Sequence, residues 1–197
     1  FLANAYAQQR PVHGEVETGK KFPLSMEQSG RRIALVVGNS AYPAGALENP
    51  RHDASAVSDQ LKRLGFDVET SLDATKAQLD AALRRFGNRA EKADVVALFY
   101  AGHGLQVHGV NYIVPVDAKP QTERDLKRDM VKLDDVIEDM GQVKVKLVFF
   151  DACRDNPLAR SFSRGGSRGL AAPSEASGTL ISFATKHGNT AADGEEK

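Results

Sequence analysis

The sequence predicts an α/β fold on a mostly parallel sheet, and three observations carry that prediction. Residues 33–37, 95–100 and 145–150 are short, almost wholly apolar runs, the pattern of strands buried on both faces. Stretches with apolar residues at helical spacing lie between them, so strands alternate with helices. Each run stops at small or polar residues: Gly38-Asn39, Gly102-His103-Gly104 and Asp151-Ala152-Cys153. In open parallel sheets, sites collect in the crevice beyond the carboxyl ends of the strands.

Taken in order, the chain opens with "FLANAYAQQ". Its apolar start, with Ala5 and Ala7 at signal-peptidase spacing, is expected to be the remnant of a signal peptide, and residues 1–30 a remnant plus flexible leader. The expected location is therefore outside the cytoplasm, periplasmic or secreted, with the cytoplasm as alternative and no membrane contact in the mature form. Residues 31–197 are expected to form one domain. After strand 33–37, Asn49-Pro50 opens a helix with Ala54, Val57, Leu61 and Leu64 at helical spacing and Gly65 as its stop. "FDVET" predicts a strand at 66–70, and Leu79, Leu83 and Phe86 a helix over 75–88. Strand 95–100 ends at the glycine-flanked His103. "LQVHGVNYIVPVD" predicts a hairpin turning at His108-Gly109. "KLDDVIEDM", 132–140, reads as a short amphipathic helix before strand 145–150. Residues 154–178 have loop composition, and "TLISFAT" is a last strand before a polar tail.

Composition excludes several classes. With 26 basic and 26 acidic residues the chain has no net charge, so no global field favours nucleic acid or an anionic membrane. No window has the length and purity of a transmembrane helix. No G-x-x-x-x-G-K-[ST] or G-x-G-x-x-G segment follows the first strand, which leaves a nucleotide without its phosphate cradle. The single cysteine cannot form an internal disulfide, so the core must hold the fold. His13, His52, His108 and His187 lack partners at ligand spacing and read as surface or turn residues, which argues against a structural zinc site.

What remains is the pair His103 and Cys153. At the ends of neighbouring parallel strands an imidazole can take a thiol proton, or hold a thiolate as an ion pair, and make a nucleophile near neutral pH. The acids on either side of Cys153 would raise its pKa, so the imidazole has to supply compensating charge. The backbone N–H groups of Gly104 and Cys153 are the natural donors to an oxyanion. Acyl transfer, most simply peptide hydrolysis, is the chemistry such a set supports. It needs no cofactor.

The two residues stand 50 apart, the spacing at which caspases carry their own pair. "YAGHG" and "DACRD" resemble the histidine and cysteine motifs of the caspase fold, and "DAC" resembles the metacaspases and their bacterial relatives, the orthocaspases. "IALVVGNSAY" and "LENPRHDASAVSDQLKRLGF" are similar to that family's first strand and following helix. The resemblance covers roughly residues 31–193 and implies a caspase-like sandwich, a central mostly parallel sheet flanked by helices. It also implies cleavage after Arg or Lys, with protein or peptide substrates as partners. A basic side chain needs carboxylates at the base of its pocket. Asp53 and Asp151 match those family positions, while Arg51 and Arg154 stand nearby. Ser182 matches the strand along which family substrates lie as an added β-strand.

Other implications of the resemblance are narrower. Family members continue with a further helix and a sixth strand, and the chain's own C-terminal fragment is one candidate partner among the readings this leaves open. Arg160, Arg164 and Arg168 are candidate self-processing sites, since proteolysis concentrates in exposed Gly/Ser loops. Asp117, Asp134 and Asp135 resemble some calcium positions of metacaspases, but Arg160 stands near where another acid is expected, and no metal site is assigned. The alternative to a peptidase is a caspase-fold interaction module without activity.

Overall fold

The apolar runs become the inner strands of one parallel sheet. The structure, a computed structural model, describes residues 30–153 and 178–183, with Cys153 by its backbone. In chain order the elements are β1 (Arg32–Gly38), α1 (Pro50–Arg63), β2 (Asp67–Leu72), α2 (Lys76–Ala90), β3 (Val95–Val107), β4 (Val110–Ile113), α3 (Glu123–Asp129), β5 (Val131–Lys132), α4 (Leu133–Asp139), β6 (Val145–Cys153) and β7 (Thr179–Phe183). The expected leader, the loop with Arg154, Arg160, Arg164 and Arg168, the polar tail, His13 and His187 lie outside the described residues.

Five strands pair in parallel in the order β2-β1-β3-β6-β7. Past His103, β3 changes partner and pairs antiparallel with β4, which in turn pairs with β5. Side chains alternate between the two faces of the parallel sheet. Ile33, Leu35, Val37, Val96, Leu98, Tyr100, Val148 and Phe150 face α2 and α4 in the main core. Ala34, Val36, Ala97, Phe99 and Leu147 face α1 through Ala54, Val57 and Leu61. Strands covered on both faces need apolar residues at every position, which is why their runs are continuous.

The helices start and stop where their ends have partners. Pro50 sits in the first turn of α1, where its missing N–H costs nothing. Gly65, at φ 81°, supplies the left-handed residue just past the helix end. Leu64 is an exposed C-cap instead of a core residue, a correction to the spacing argument. Thr75 and Gln78 close a capping box on α2. His108 and Gly109, at φ 49° and 79°, make the two-residue hairpin turn expected of them.

Four elements differ from expectation, among them β5, a two-residue strand that takes Lys132 out of the helix expected over 132–140. β3 does not stop at Tyr100, because β4 supplies new pairing for Gly104 to Val107. β6 runs on through Cys153 itself. α3 was not foreseen: its seven residues bury only Leu126, too few for a period, although Asp125 marks its start by accepting from the Thr122 N–H at 2.8 Å and Oγ1 at 2.9 Å.

Candidate active site

Backbone register brings the predicted pair together. His103 on β3 and Cys153 on β6 are Cα partners, on strands that run parallel and adjacent. Neighbouring strands lie ~4.8 Å apart, so the two residues are as close as the sheet permits. Two positions lower, and so on the same face, Gly38, Ala101 and Asp151 are partners across β1, β3 and β6. The sheet thus presents strand ends in step, with His103, Cys153 and Asp151 within the last three positions of the β3–β6 pairing.

The His103 side chain is buried, at 2% exposure. Its Nε2 lies 2.6 Å from the Gly45 carbonyl oxygen, in the loop between β1 and α1. A carbonyl only accepts, so Nε2 carries the proton and Nδ1 is the basic nitrogen of the neutral ring. The ring also packs against Tyr42 of the same loop, centroids 4.4 Å apart and planes tilted by 48°. Asp73 fixes that loop from below. Its Oδ1 accepts from the Ser40 N–H at 2.8 Å and the Ala41 N–H at 2.9 Å, and its Oδ2 pairs with Arg51 at 3.1 Å.

Gly104 sits at a defined place in the hairpin ladder. The Val114 N–H donates to the His103 carbonyl at 3.3 Å, one of the two bonds of a hydrogen-bonded position, which sets the phase of the ladder at 103 and 114. The next residue in an antiparallel ladder points its polar groups the other way. The Gly104 N–H is therefore turned from β4 toward the β6 side.

The two acids stand on different elements at this end of the sheet, Asp151 on β6 and Asp53 on α1. Asp151 belongs to the row Leu147, Phe149, Asp151 that faces α1, and it is half-buried. Asp53, also half-buried, lies in the first turn of α1, where the helix N-terminus favours a negative charge. That turn packs directly on the end of β1: a Cβ at Gly38 would stand 2.4 Å from the Pro50 oxygen and 2.6 Å from the Ala54 Cβ. Gly38 and Asp151 are two strand spacings apart, ~10 Å, with Ala101 between them. Arg51, the nearby base, is engaged with Asp73.

Ser182 is exposed on β7, opposite Phe149. Among the described residues β7 pairs only with β6, so its outer side is a sheet edge. The Lys146 N–H donates to the Gly178 oxygen at 2.9 Å, which sets the phase of the strand. Gly178, Leu180 and Ser182 then point their backbone groups at β6, and Thr179, Ile181 and Phe183 point theirs to the open edge.

Of the acids resembling calcium positions, Asp117 accepts from the Lys76 N–H at 2.7 Å and so caps α2. Asp134 and Asp135 are exposed in the first turn of α4. His108 pairs with Glu123 at 3.1 Å on the surface.

Sequence reasoning missed the residues around the histidine. Tyr100 stands in "YAGHG" and Asn39 and Tyr42 in "IALVVGNSAY", but their parts here, like that of the Gly45 carbonyl, arise from hydroxyl, amide and backbone groups that only the fold brings near. Burial pushes the Tyr42 hydroxyl up to about 12 and raises Tyr100 well above the ordinary phenol value for the same reason. Both stay protonated near neutral pH.

Residues 31–197 match the family described as the caspase domain. Over 102 residues, 49% of the chain, the sequence is 33% identical to the mucosa-associated lymphoid tissue lymphoma translocation protein 1 homolog of Mus musculus, of which the match covers 12%. Caspase-1-B of Xenopus laevis is 25% identical over 147 residues, 69% of this chain and 38% of that protein. The chain spans well under half the length of these relatives. Among solved structures, the Drosophila initiator caspase Dronc matches with a TM-score of 0.52 at 16% identity, over 78% of this chain and 54% of its own. A Geobacter sulfurreducens protein matches at 0.50 and 23% identity, over 73% and 58%. These likenesses bear on fold alone, and with the parallel sheet and its flanking helices they give the caspase-like sandwich.

Proposed function

Since this chain belongs to the caspase-domain peptidase family, we propose that it is a cysteine endopeptidase that cuts peptide bonds after Arg or Lys, with His103 and Cys153 as its dyad. The observation that supports this most is the register that makes the two residues partners on adjacent strands. With Nε2 engaged by Gly45, Nδ1 of His103 takes the thiol proton and the Cys153 thiolate attacks the scissile carbonyl carbon. The resulting oxyanion is held by the N–H groups of Gly104 and Cys153. A regular ladder would direct the Gly104 N–H to the Cys153 carbonyl and the Cys153 N–H to the Gly102 carbonyl, so both of these last rungs have to open as substrate enters. The carbon–nitrogen bond then breaks as His103 returns the proton to the leaving amine. Water, deprotonated by the same imidazole, releases the acyl group and restores the thiol.

Asp53 and Asp151, on the α1 side of the sheet, hold the guanidinium or ammonium of the substrate between them. The peptide lies along β7 as an added strand, bonded through the edge groups of Ile181 and Phe183 next to Ser182. The small residues Ala5 and Ala7 support export of the mature chain, and Arg160, Arg164 or Arg168 is the site at which it cuts itself. The test is turnover of matched fluorogenic peptides ending in Arg, Lys or Asp, by the intact chain and by Cys153→Ala. Turnover after Arg or Lys that vanishes in the variant is expected. Turnover after Asp alone would overturn the acidic pocket, and none with any peptide would overturn the peptidase.

A further inference from the structure

His103 is held by its main chain as well as by its ring, and the main-chain partners are side chains. β1 ends at Gly38, and Asn39 makes its last rung to β3, N–H to the Ala101 oxygen at 2.9 Å. A regular parallel ladder would continue with the His103 N–H donating to the Asn39 carbonyl. Instead the Tyr42 hydroxyl oxygen accepts that N–H at 2.9 Å. On the other side of the residue, the Tyr100 hydroxyl donates to the His103 carbonyl at 2.6 Å. The two hydroxyls are 3.2 Å apart.

Counting protons leaves little freedom. Two hydroxyl protons serve the His103 carbonyl, the Val114 carbonyl and each other's oxygen. The shortest contact takes the Tyr100 proton to His103. The Tyr42 proton goes to the Val114 oxygen at 3.0 Å or to the Tyr100 oxygen. In the second case the Asn39 side-chain amide covers Val114 at 3.2 Å. Either way a Tyr42 lone pair receives the His103 N–H.

Gly102 makes room for this arrangement. A Cβ there would stand 2.7 Å from both hydroxyl oxygens, nearer than any real contact. We infer that Tyr42 and Tyr100 are positioning residues for His103, clamping its N–H and C=O so that the imidazole stays in line with the Gly45 carbonyl and with the partner position on β6. Tyr42 has the larger part, since its ring also packs on the imidazole and its loop supplies Gly45. The inference rests on the peptidase reading for its catalytic consequence, but the clamp has its own observable.

Tyr42→Phe and Tyr100→Phe remove a hydroxyl each and keep the ring. The measurement is nitrogen-15 NMR of the His103 imidazole, with turnover of an Arg-ending peptide beside it. Phe86→Leu, in the α2 core, serves as a variant of lowered stability that does not touch the site. In the intact protein we expect a single tautomer with the proton on Nε2. Tyr42→Phe is expected to give a mixture of tautomers and a fall of about tenfold or more in kcat with KM within about twofold. Tyr100→Phe should do the same more weakly, because Val114 N–H still reaches the His103 carbonyl. Phe86→Leu should leave tautomer and kcat unchanged. If both Phe variants fold and keep the single tautomer, the clamp is overturned, whatever the turnover. If the intact protein turns over no peptide while Tyr42→Phe mixes the tautomers, the peptidase reading falls and the clamp stands. Should Tyr42→Phe not fold, Tyr100→Phe decides by the same readout.

Discussion

At the scale of single residues, the described groups that hold the site's histidine are neutral. Gly45 offers a carbonyl, Tyr42 and Tyr100 offer hydroxyls, and both phenols are buried. Their burial has a consequence for stability. A phenol that ionises near 10 when unfolded and at about 12 when folded stays protonated longer in the native state. Below pH 10 both states are protonated and the native state loses nothing. As pH rises toward 12, only the unfolded chain releases the Tyr42 proton, so stability falls across that window by about 3 kcal/mol for this group. Chemical denaturation between pH 9 and 12 should show the decline, and Tyr42→Phe should decline less steeply. An equal slope in the two proteins would contradict the burial-driven shift. Asp94 and Asp125 act at the other end of the scale. Lys144 beside Asp94 and the Thr122 donors at Asp125 hold those carboxyls below their usual range, so their stabilisation is present above that range and lost as pH falls through it.

At the scale of elements, the strands do two jobs: they carry the site and they offer an edge. Because Ile181 points its N–H outward and Ser182 points its own at β6, the two residues should respond differently to proline. Ile181→Pro removes an edge donor, whereas Ser182→Pro removes a ladder bond. We expect Ile181→Pro to lower kcat/KM for a peptide by about tenfold relative to Ile181→Ala, the worth of one hydrogen bond once the loss of packing is shared by both. Equal kcat/KM in the two variants would place the substrate elsewhere. How much of these elements could be read beforehand depends on what made each one. The inner strands were legible because burial on both faces writes itself into every position. His103 and Cys153 were legible because their chemistry needs those atoms. The extension of β3 was not, since Gly102 and Gly104 look like a stop until β4 is in place. Nor was the ring of support around His103, because a main-chain carbonyl at Gly45 leaves no mark in a list of side chains, and nothing in the sequence says that the Asn39 amide and the two phenols stand beside it. α3 lay in between: its cap at Thr122 and Asp125 was present in the sequence, but one buried leucine gave no period to go with it.

At the scale of the whole molecule, the chain makes a long excursion between the two residues of the dyad. From His103 it passes through the β3–β4 hairpin, α3, β5 and α4 before returning along β6. The pair meets because β3 and β6 keep their register over nine consecutive positions, from Val95 opposite Val145 to His103 opposite Cys153. Their separation in the sequence has no part in that meeting. Lengthening the exposed connection beside Lys119 by a few Gly and Ser residues should therefore leave kcat/KM unchanged and cost at most about 1 kcal/mol of stability. A slip of β6 by one residue would be ruinous, since His103 would then face Ala152 and the alternating rows would exchange sides. The number 50, which first drew the two residues together on paper, is an accident of itinerary. A relative that took a longer or shorter road between the same two rungs would arrive at the same place.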